Sequence, residues 1–501
     1  MFQFKRILAA FMAALAITAP TLAQDGEQTG FVGFLVYLIN QLDSFVFQTI
    51  PIAGNNVEWI VILMGVAMVS LTILFGFVNV TSFRRAWRIV KGDYHDEKAE
   101  GEVTQFQALS TALSGTVGLG NIAGVAVAIS MGGPGATFWM IIIGFCAMSL
   151  KFAECTLGVK YRDVREDGTV AGGPMYYLER GLKKRGQGWA KIGKILAWSY
   201  AILAVPTLLQ VAQVNQSYEA ITAVTGIDTN TTQWGFGVVI AILTAIVIIG
   251  GIKSIAGVTS KLVPLMAAVY ITGALVIILG HASEVPAAFV TIFESAFNPD
   301  AATGGVIGVI IIGMRRAVYS TEAGLGSATM AHAAAKTKEP VSEGMVALME
   351  PFVDTIVVST MTALVIVITG NYTIGQEVQG ISMTSAAFGS VISWFPLVLA
   401  AAAFMFAFST IISWGYYSGK VWEFVFGGGD KSMNIFKIIF CVALVPGAAF
   451  TADQVYKLMD SLFFLMAVPN LIGIAFMATE LRTDLKDYLA RLKSGAIKAN
   501  S

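Results

Sequence analysis

Charge, cysteine and histidine are all scarce in this chain, and each scarcity closes off a kind of function. Charged residues make up 13% of the 501 residues against 56% hydrophobic ones, whereas a soluble domain carries about 25% charged residues. With a mean hydropathy of +0.72, the composition is that of an integral membrane protein. The 32 basic and 32 acidic residues cancel, which leaves no net field to attract nucleic acid. Three cysteines, Cys146, Cys155 and Cys441, lie in apolar runs without the spacing of a disulfide framework or a metal site, and read as packing residues. The three histidines, His95, His281 and His332, form no cluster and read as solvated or helix-end groups. No Walker loop, nucleophile elbow or dinucleotide fingerprint occurs, so ATP-driven pumping and soluble catalysis lack their machinery, and no catalytic residue or cofactor is expected.

What the chain has is apolar runs. Residues 1–23 carry a basic start at Lys5 and Arg6, an apolar stretch and a small-residue end at Ala23, the form of a cleaved signal peptide. Residues 24–58 read as an interfacial, amphipathic segment outside the membrane, and 59–80 as a peripheral membrane helix. Ten further runs of spanning length bring the expected count to about eleven, near 108–131, 134–158, 193–215, 234–250, 259–280, 304–335, 348–370, 392–418, 436–450 and 457–478. Residues 479–501 read as a cytoplasmic tail.

Lys and Arg accumulate in the loop after the first run, where Arg84, Arg85, Arg88, Lys91 and Lys98 fall, and in the loop between Lys160 and Lys194. The loops 216–233, 281–303 and 371–391 contain neither residue. Because cytoplasmic loops retain basic residues, the mature N-terminus is expected outside and the C-terminus inside. The second run holds Gly118-Leu119-Gly120-Asn121 and the seventh Gly324-Leu325-Gly326-Ser327. An offset of five helices gives the two elements opposite directions across the membrane. Paired glycine-interrupted helices in inverted halves point to a midplane binding site in secondary transporters, so 105–280 and 304–478 read as two inverted five-helix repeats in an all-α membrane protein with discontinuous helices.

An unwound turn in lipid strands its backbone groups at several kcal/mol each. Such a break needs protein or ligand around it: freed carbonyls suit a cation, and a half-helix N-terminus suits a carboxylate. The run from Gln107 through Gly124, then Gly132-Gly133-Pro134-Gly135, Ala171 to Tyr177, Ser320 to Ser327, Ala331-His332-Ala333-Ala334, Glu350 to Thr355, and Phe408 to Ile412 with Trp414 resemble, in order, the signature of the alanine or glycine:cation symporters. The resemblance implies a leucine-transporter (LeuT) type inverted-repeat fold and sodium-coupled import of a small neutral amino acid across the bacterial inner membrane. It further implies that Gly118, Gly120, Asn121, Gln213, Gly324 and Trp414 line the substrate site. Thr116, Val117, Thr321, Ser409 and Thr410 would coordinate Na⁺. Leu119 and Thr321 depart from the family's usual Thr and Asn.

Ionisable residues inside membrane helices are costly. Glu322 is expected to brace the second break and Arg316 to pair across a gate, with a structural ion pair as the alternative. Lys151, Glu154, Glu350 and Asp354 read as inner-gate or snorkelling residues. A proton-coupled carrier in which Glu322 titrates, and an ion channel, are the competing functions.

Overall fold

The computed structural model describes residues 30–498 apart from 53–54, 298–304, 373, 375–379 and 450–452; the expected signal peptide lies outside the described residues. Helix α1 (Gly30–Val46) is followed by a two-stranded hairpin, β1 (Thr49–Ile52) and β2 (Asn55–Glu58), and by α2 (Trp59–Leu74). The segment expected at the interface is therefore tied to the bundle: Leu35 and Ile39 of α1 pack on Leu458 and Leu462, and the Trp59 indole donates to the Phe45 carbonyl at 2.9 Å. The membrane helix expected over 59–80 ends at Leu74, where Gly76 and Phe77 both take positive φ.

The remainder is a helical bundle with the expected interruptions and others. The first broken pair is α3 (Gln105–Thr116) and α4 (Leu119–Gly132), bent by 40°. Helix α3 starts in a capping box, with Thr104 and Gln107 exchanging side-chain-to-backbone bonds of 3.0 and 3.2 Å. Next come α5 (Gly135–Lys160), α6 (Gln187–Ala204) and α7 (Val211–Thr225), the last two split by a turn that begins Val205-Pro206. Proline has no amide hydrogen to continue the helix, so the run expected over 193–215 is itself discontinuous. Helices α8 (Asn230–Ile248) and α9 (Gly251–Gly280) complete the first half.

The second half opens with α10 (Gly305–Thr321) and α11 (Thr329–Ala333), with an irregular stretch between them in place of the helix expected to continue to residue 335. Helix α12 (Pro340–Ala347) leads into a π-helical segment, Phe352–Ser359, and on to α13 (Thr360–Thr369). It ends with α14 (Phe395–Phe426), α15 (Asp430–Leu444) and α16 (Asp453–Lys493). Helix α16 runs through most of the segment expected to be a separate tail.

Among the described residues, eight helices are long and apolar enough to cross a membrane, and the bent pair α3/α4 makes a ninth. The expected eleven is not reached by that measure because α2 has 16 residues and α10, stopping at Thr321, has 17, short of the roughly 20 that span a bilayer. Helix α5 is the spine: its second half is buried almost without interruption from Ala147 to Val159, against α10, α11 and α12. Small residues allow these approaches, as at Gly158, where an added Cβ would lie 3.0 Å from Thr329 Cβ.

Candidate transport site

The chain leaves the helix after Thr116 because Val117 and Gly118 are extended, with φ of −71° and −163°. The Asn121 side chain re-starts it by accepting from the Gly118 amide at 3.0 Å. Two half-helices thus meet in the bundle interior. The carbonyl end of α3 carries partial negative charge, and the amide end of α4 partial positive charge. A cavity of about 670 Å³ reaches this break, lined by Thr116, Gly118, Gly120, Thr410 and Trp414 and also by Gln213 and Glu322. It extends past Gln216 and Glu219 on α7 and Arg315, Arg316 and Tyr319 on α10 towards Met131, at the end of α4 away from the basic loops.

Beside the break, hydroxyl and carbonyl oxygens crowd together. Thr410 Oγ1 donates to the Ser114 carbonyl at 3.0 Å and Ser409 Oγ to the Phe406 carbonyl at 2.8 Å, while the Ser114 and Ser413 hydroxyls bond each other. An added Cβ on Gly118 would lie 3.6 Å from Thr410 Oγ1 and 4.0 Å from the Thr116 carbonyl oxygen, so α14 and the end of α3 offer oxygens to one point. Thr116, Ser409 and Thr410 are therefore together, and Val117 is the buried residue at the turn. Thr321 does not line the cavity; its hydroxyl bonds back to the Ala317 carbonyl at 2.9 Å.

The second break is wound around a carboxylate. Glu322, Gly324 and Gly326 take φ of 50°, 100° and 74°, a region that glycine enters without the steric cost a Cβ brings. Their amides turn inward, and Glu154 Oε1 accepts from Gly324 N and Gly326 N, both at 3.0 Å, and from Asn470 Nδ2 at 2.6 Å. The Gly324 carbonyl takes the other Asn470 amide hydrogen at 2.8 Å. Gly324 is thus tied to Glu154 and Asn470 and does not line the cavity, contrary to its expected substrate role. Glu322 does face the cavity and accepts from Ser327 Oγ at 2.7 Å. The helix ends beside the two breaks touch: an added Cβ on Gly120 at the start of α4 would lie 3.9 Å from Ser320 Cα near the end of α10.

Residues 41–501 match the family model described as the sodium:alanine symporter family. The chain belongs to the sodium:alanine symporter family. The sodium/alanine symporter AgcS of Methanococcus maripaludis is 39% identical over 459 residues, covering 90% of this chain and 97% of that protein. The amino-acid carrier protein AlsT of Bacillus subtilis is 33% identical over 440 residues, covering 87% and 90%. A crystal structure of MhsT in complex with L-phenylalanine shares the fold, with a TM-score of 0.52 at 16% identity over 75% of this chain and 89% of MhsT. The LeuT-type fold expected from the sequence is thus found, and the protein is a multi-pass, cation-coupled amino-acid symporter.

In this symporter several polar residues do other work than the sequence suggested. Asn121 is a bolt: its amide donates to Ser320 Oγ at 2.7 Å, to the Asp354 carbonyl at 3.0 Å and to the Asp354 carboxylate. It joins the first break to α10 and to the π-helical segment and does not line the cavity. Asp354 also accepts from Ser320 and Thr355, both at 2.9 Å, so it is a buried junction and not a gate. Lys151 pairs with Glu350 at 3.1 Å with neither side chain reaching water, which rules out snorkelling. His332 is buried between Glu343 at 2.6 Å and Glu350 at 2.8 Å, and Gln105 Nε2 donates to Glu343 at 2.8 Å. His332 and Glu350 also lie with Cys155 in a group close enough to hold a metal, but both His332 ring nitrogens are committed to carboxylates. Arg315 makes an ion pair at the cavity mouth with Glu58 of β2 at 2.7 Å. Arg316 lines the cavity with its guanidinium 6.0 Å from the Tyr319 ring centre.

The face bearing the basic loops is closed. Arg162 donates to the carbonyls of Ala335 at 2.6 Å, Glu100 at 2.7 Å, Ala333 at 2.8 Å and Thr337 at 3.0 Å. It thereby clips the chain after α11 to the chain before α3, which also pair as a bridge between Val103 and Ala335. Desolvation lowers the Arg162 pKa, but the guanidinium stays charged at any working pH. Around it lie ion pairs of Arg165 with Glu423, of Lys160 with Asp484, and of Arg491 with both oxygens of Glu339 at 2.6 and 2.7 Å. None of these closures had a sequence signal, because their members lie far apart along the chain.

Proposed function

We propose that this carrier imports a small neutral amino acid, alanine or glycine, together with Na⁺ across the bacterial inner membrane. The N-terminus would be outside, the C-terminus cytoplasmic, and the conformation described outward-facing. The observation that carries this reading is the first break. The carbonyl end of α3 and the hydroxyls of Ser409 and Thr410 suit a cation, while the amides at the start of α4 suit the substrate carboxylate one turn away. Trp414 walls the cavity and favours a short side chain. Substrate and sodium would stabilise one closed arrangement, so each must raise the other's affinity by the same factor. Uptake competition among neutral amino acids in proteoliposomes, with and without a sodium gradient, tests this. Alanine or glycine uptake that collapses without sodium is expected. Uptake driven by a pH gradient alone would reject sodium coupling and select proton coupling.

A further inference from the structure

Among the described residues seven carboxylates are buried: Glu58 and Glu423, paired with Arg315 and Arg165, and a set of five, Glu154, Glu322, Glu343, Glu350 and Asp354. Two basic side chains are buried among them, Lys151 and His332. A buried carboxylate is tolerated only when opposite charge or hydrogen-bond donors surround it. Glu343 and Glu350 share His332, and Glu350 also has Lys151. Glu154 accepts from three N–H groups and Asp354 from Asn121, Ser320 and Thr355. Glu322 has neither an ion pair nor a third donor among the described residues: its hydrogen-bonding neighbours are the Ser327 hydroxyl and the Trp414 indole. It is also the one member of the five that lines the cavity, and its backbone is held at a φ of 50°, which a residue with a Cβ rarely adopts.

We propose that Glu322 binds the α-ammonium group of the substrate, and so makes the site selective for amines over the corresponding hydroxy or unsubstituted acids. The inference rests on the reading of this cavity as the amino-acid site. An amino acid carries both charges on one carbon, and the two breaks at this cavity offer one pole each: amides of the α4 start on one side, the Glu322 carboxylate on the other. A compact ammonium donates three hydrogen bonds, and the Glu322 carboxylate, which accepts only from Ser327 and Trp414 among the described residues, has acceptor capacity left for it. Na⁺ has its own oxygens at Thr116, Ser409 and Thr410, on the α14 side of the first break. Transfer of the carrier's selectivity to Glu322 explains why the chain keeps a carboxylate in a strained turn where a neutral residue would cost less.

The test is equilibrium binding to the purified full-length protein in sodium, with alanine and with lactate, which replaces the ammonium by a hydroxyl. Wild type is expected to prefer alanine by a hundredfold or more, and Glu322→Gln to weaken alanine at least tenfold and shrink the preference by a similar factor. Glu322→Asn is the second variant, since asparagine accepts a positive φ more readily than glutamine; it should behave alike. Sodium binding measured without amino acid should be unchanged in both. An unaltered alanine-to-lactate ratio in either folded variant overturns the inference, as does a tenfold loss of sodium affinity with the ratio intact, which would make Glu322 a sodium ligand. A wild type that binds no neutral amino acid would instead overturn the proposed substrate class itself.

Discussion

Removing the Arg162 guanidinium should let the closed face open. In Arg162→Ala four donated bonds disappear, to the carbonyls of Ala333, Ala335, Glu100 and Thr337. A hydrogen bond from a charged donor is worth about 1.5–3 kcal/mol net, but the bond to Glu100 is solvent-exposed and the others only part-buried. A discounted total of roughly 3 kcal/mol is therefore reasonable. At about 1.4 kcal/mol per factor of ten, the equilibrium between closed and open forms of this face moves on the order of 100-fold. A population near 99:1 becomes about even. Spin labels at Glu97 and Glu166, exposed on either side of the clip, should report it by double electron–electron resonance as a new, longer distance in sodium-free membranes. Arg162→Lys should give a smaller shift, because one ammonium cannot reach four carbonyls. An unchanged distance distribution in a folded Arg162→Ala protein would refute the reasoning.

Asn121→Ala removes bonds to Ser320, Asp354 and Gly118, three buried contacts at about 1 kcal/mol each, and should abolish uptake and lower the unfolding temperature; unaltered transport would show the first break does not need its bolt. Gly326→Ala combines a φ of 74° with a methyl that runs into Pro174 Cγ. A left-handed alanine alone costs about 1–2 kcal/mol, so a clear loss of thermal stability in detergent is expected. Glu154→Leu leaves the amides of Gly324 and Gly326 and the Asn470 side chain without their acceptor; at about 1–3 kcal/mol per abandoned donor, the variant should be recovered in much lower yield of folded protein. Glu58→Gln keeps a hydrogen-bonding group in the partly buried pair with Arg315 but removes its charge, at a cost of about 1–2 kcal/mol, so the protein should still fold while the turnover rate changes.

Both breaks were legible in the sequence because each depends on local chemistry. Gly118, Gly120, Gly324 and Gly326 stand in helical runs where glycine is out of place, and they come in two copies. Of the residues expected at the site, Thr116, Gly118, Gly120, Gln213, Arg316, Glu322, Thr410 and Trp414 line the cavity. Asn121, Val117, Ser409, Thr321 and Gly324 lie behind its wall. The failures share a cause: whether a polar side chain points into a cavity or across to another helix is settled by partners far away in sequence. Asn121 finds Asp354, His332 finds Glu350, and Lys151 finds the same glutamate, with no spacing that announces it. The helix ends were missed where a local breaker lies inside an apolar run, as at Val205-Pro206, and where a helix leaves the apolar run and continues on ion pairs, as α16 does to Lys493.

Helix α16 contains Pro469, next to the Asn470 that holds the second break. At about 1.5 Å per residue its 41 residues extend about 60 Å, of which about 48 Å separates Met459 on the cavity wall from Arg491 on Glu339. Proline removes one internal bond and weakens the rod at that level. A helix weakened there could bend beside the second break, so that a tilt of the arm bearing Met459 and Asp460 would be felt at the Arg491–Glu339 contact. Such a linkage would keep the two doors from standing ajar together, which is what a carrier requires if its ion gradient is not to leak away.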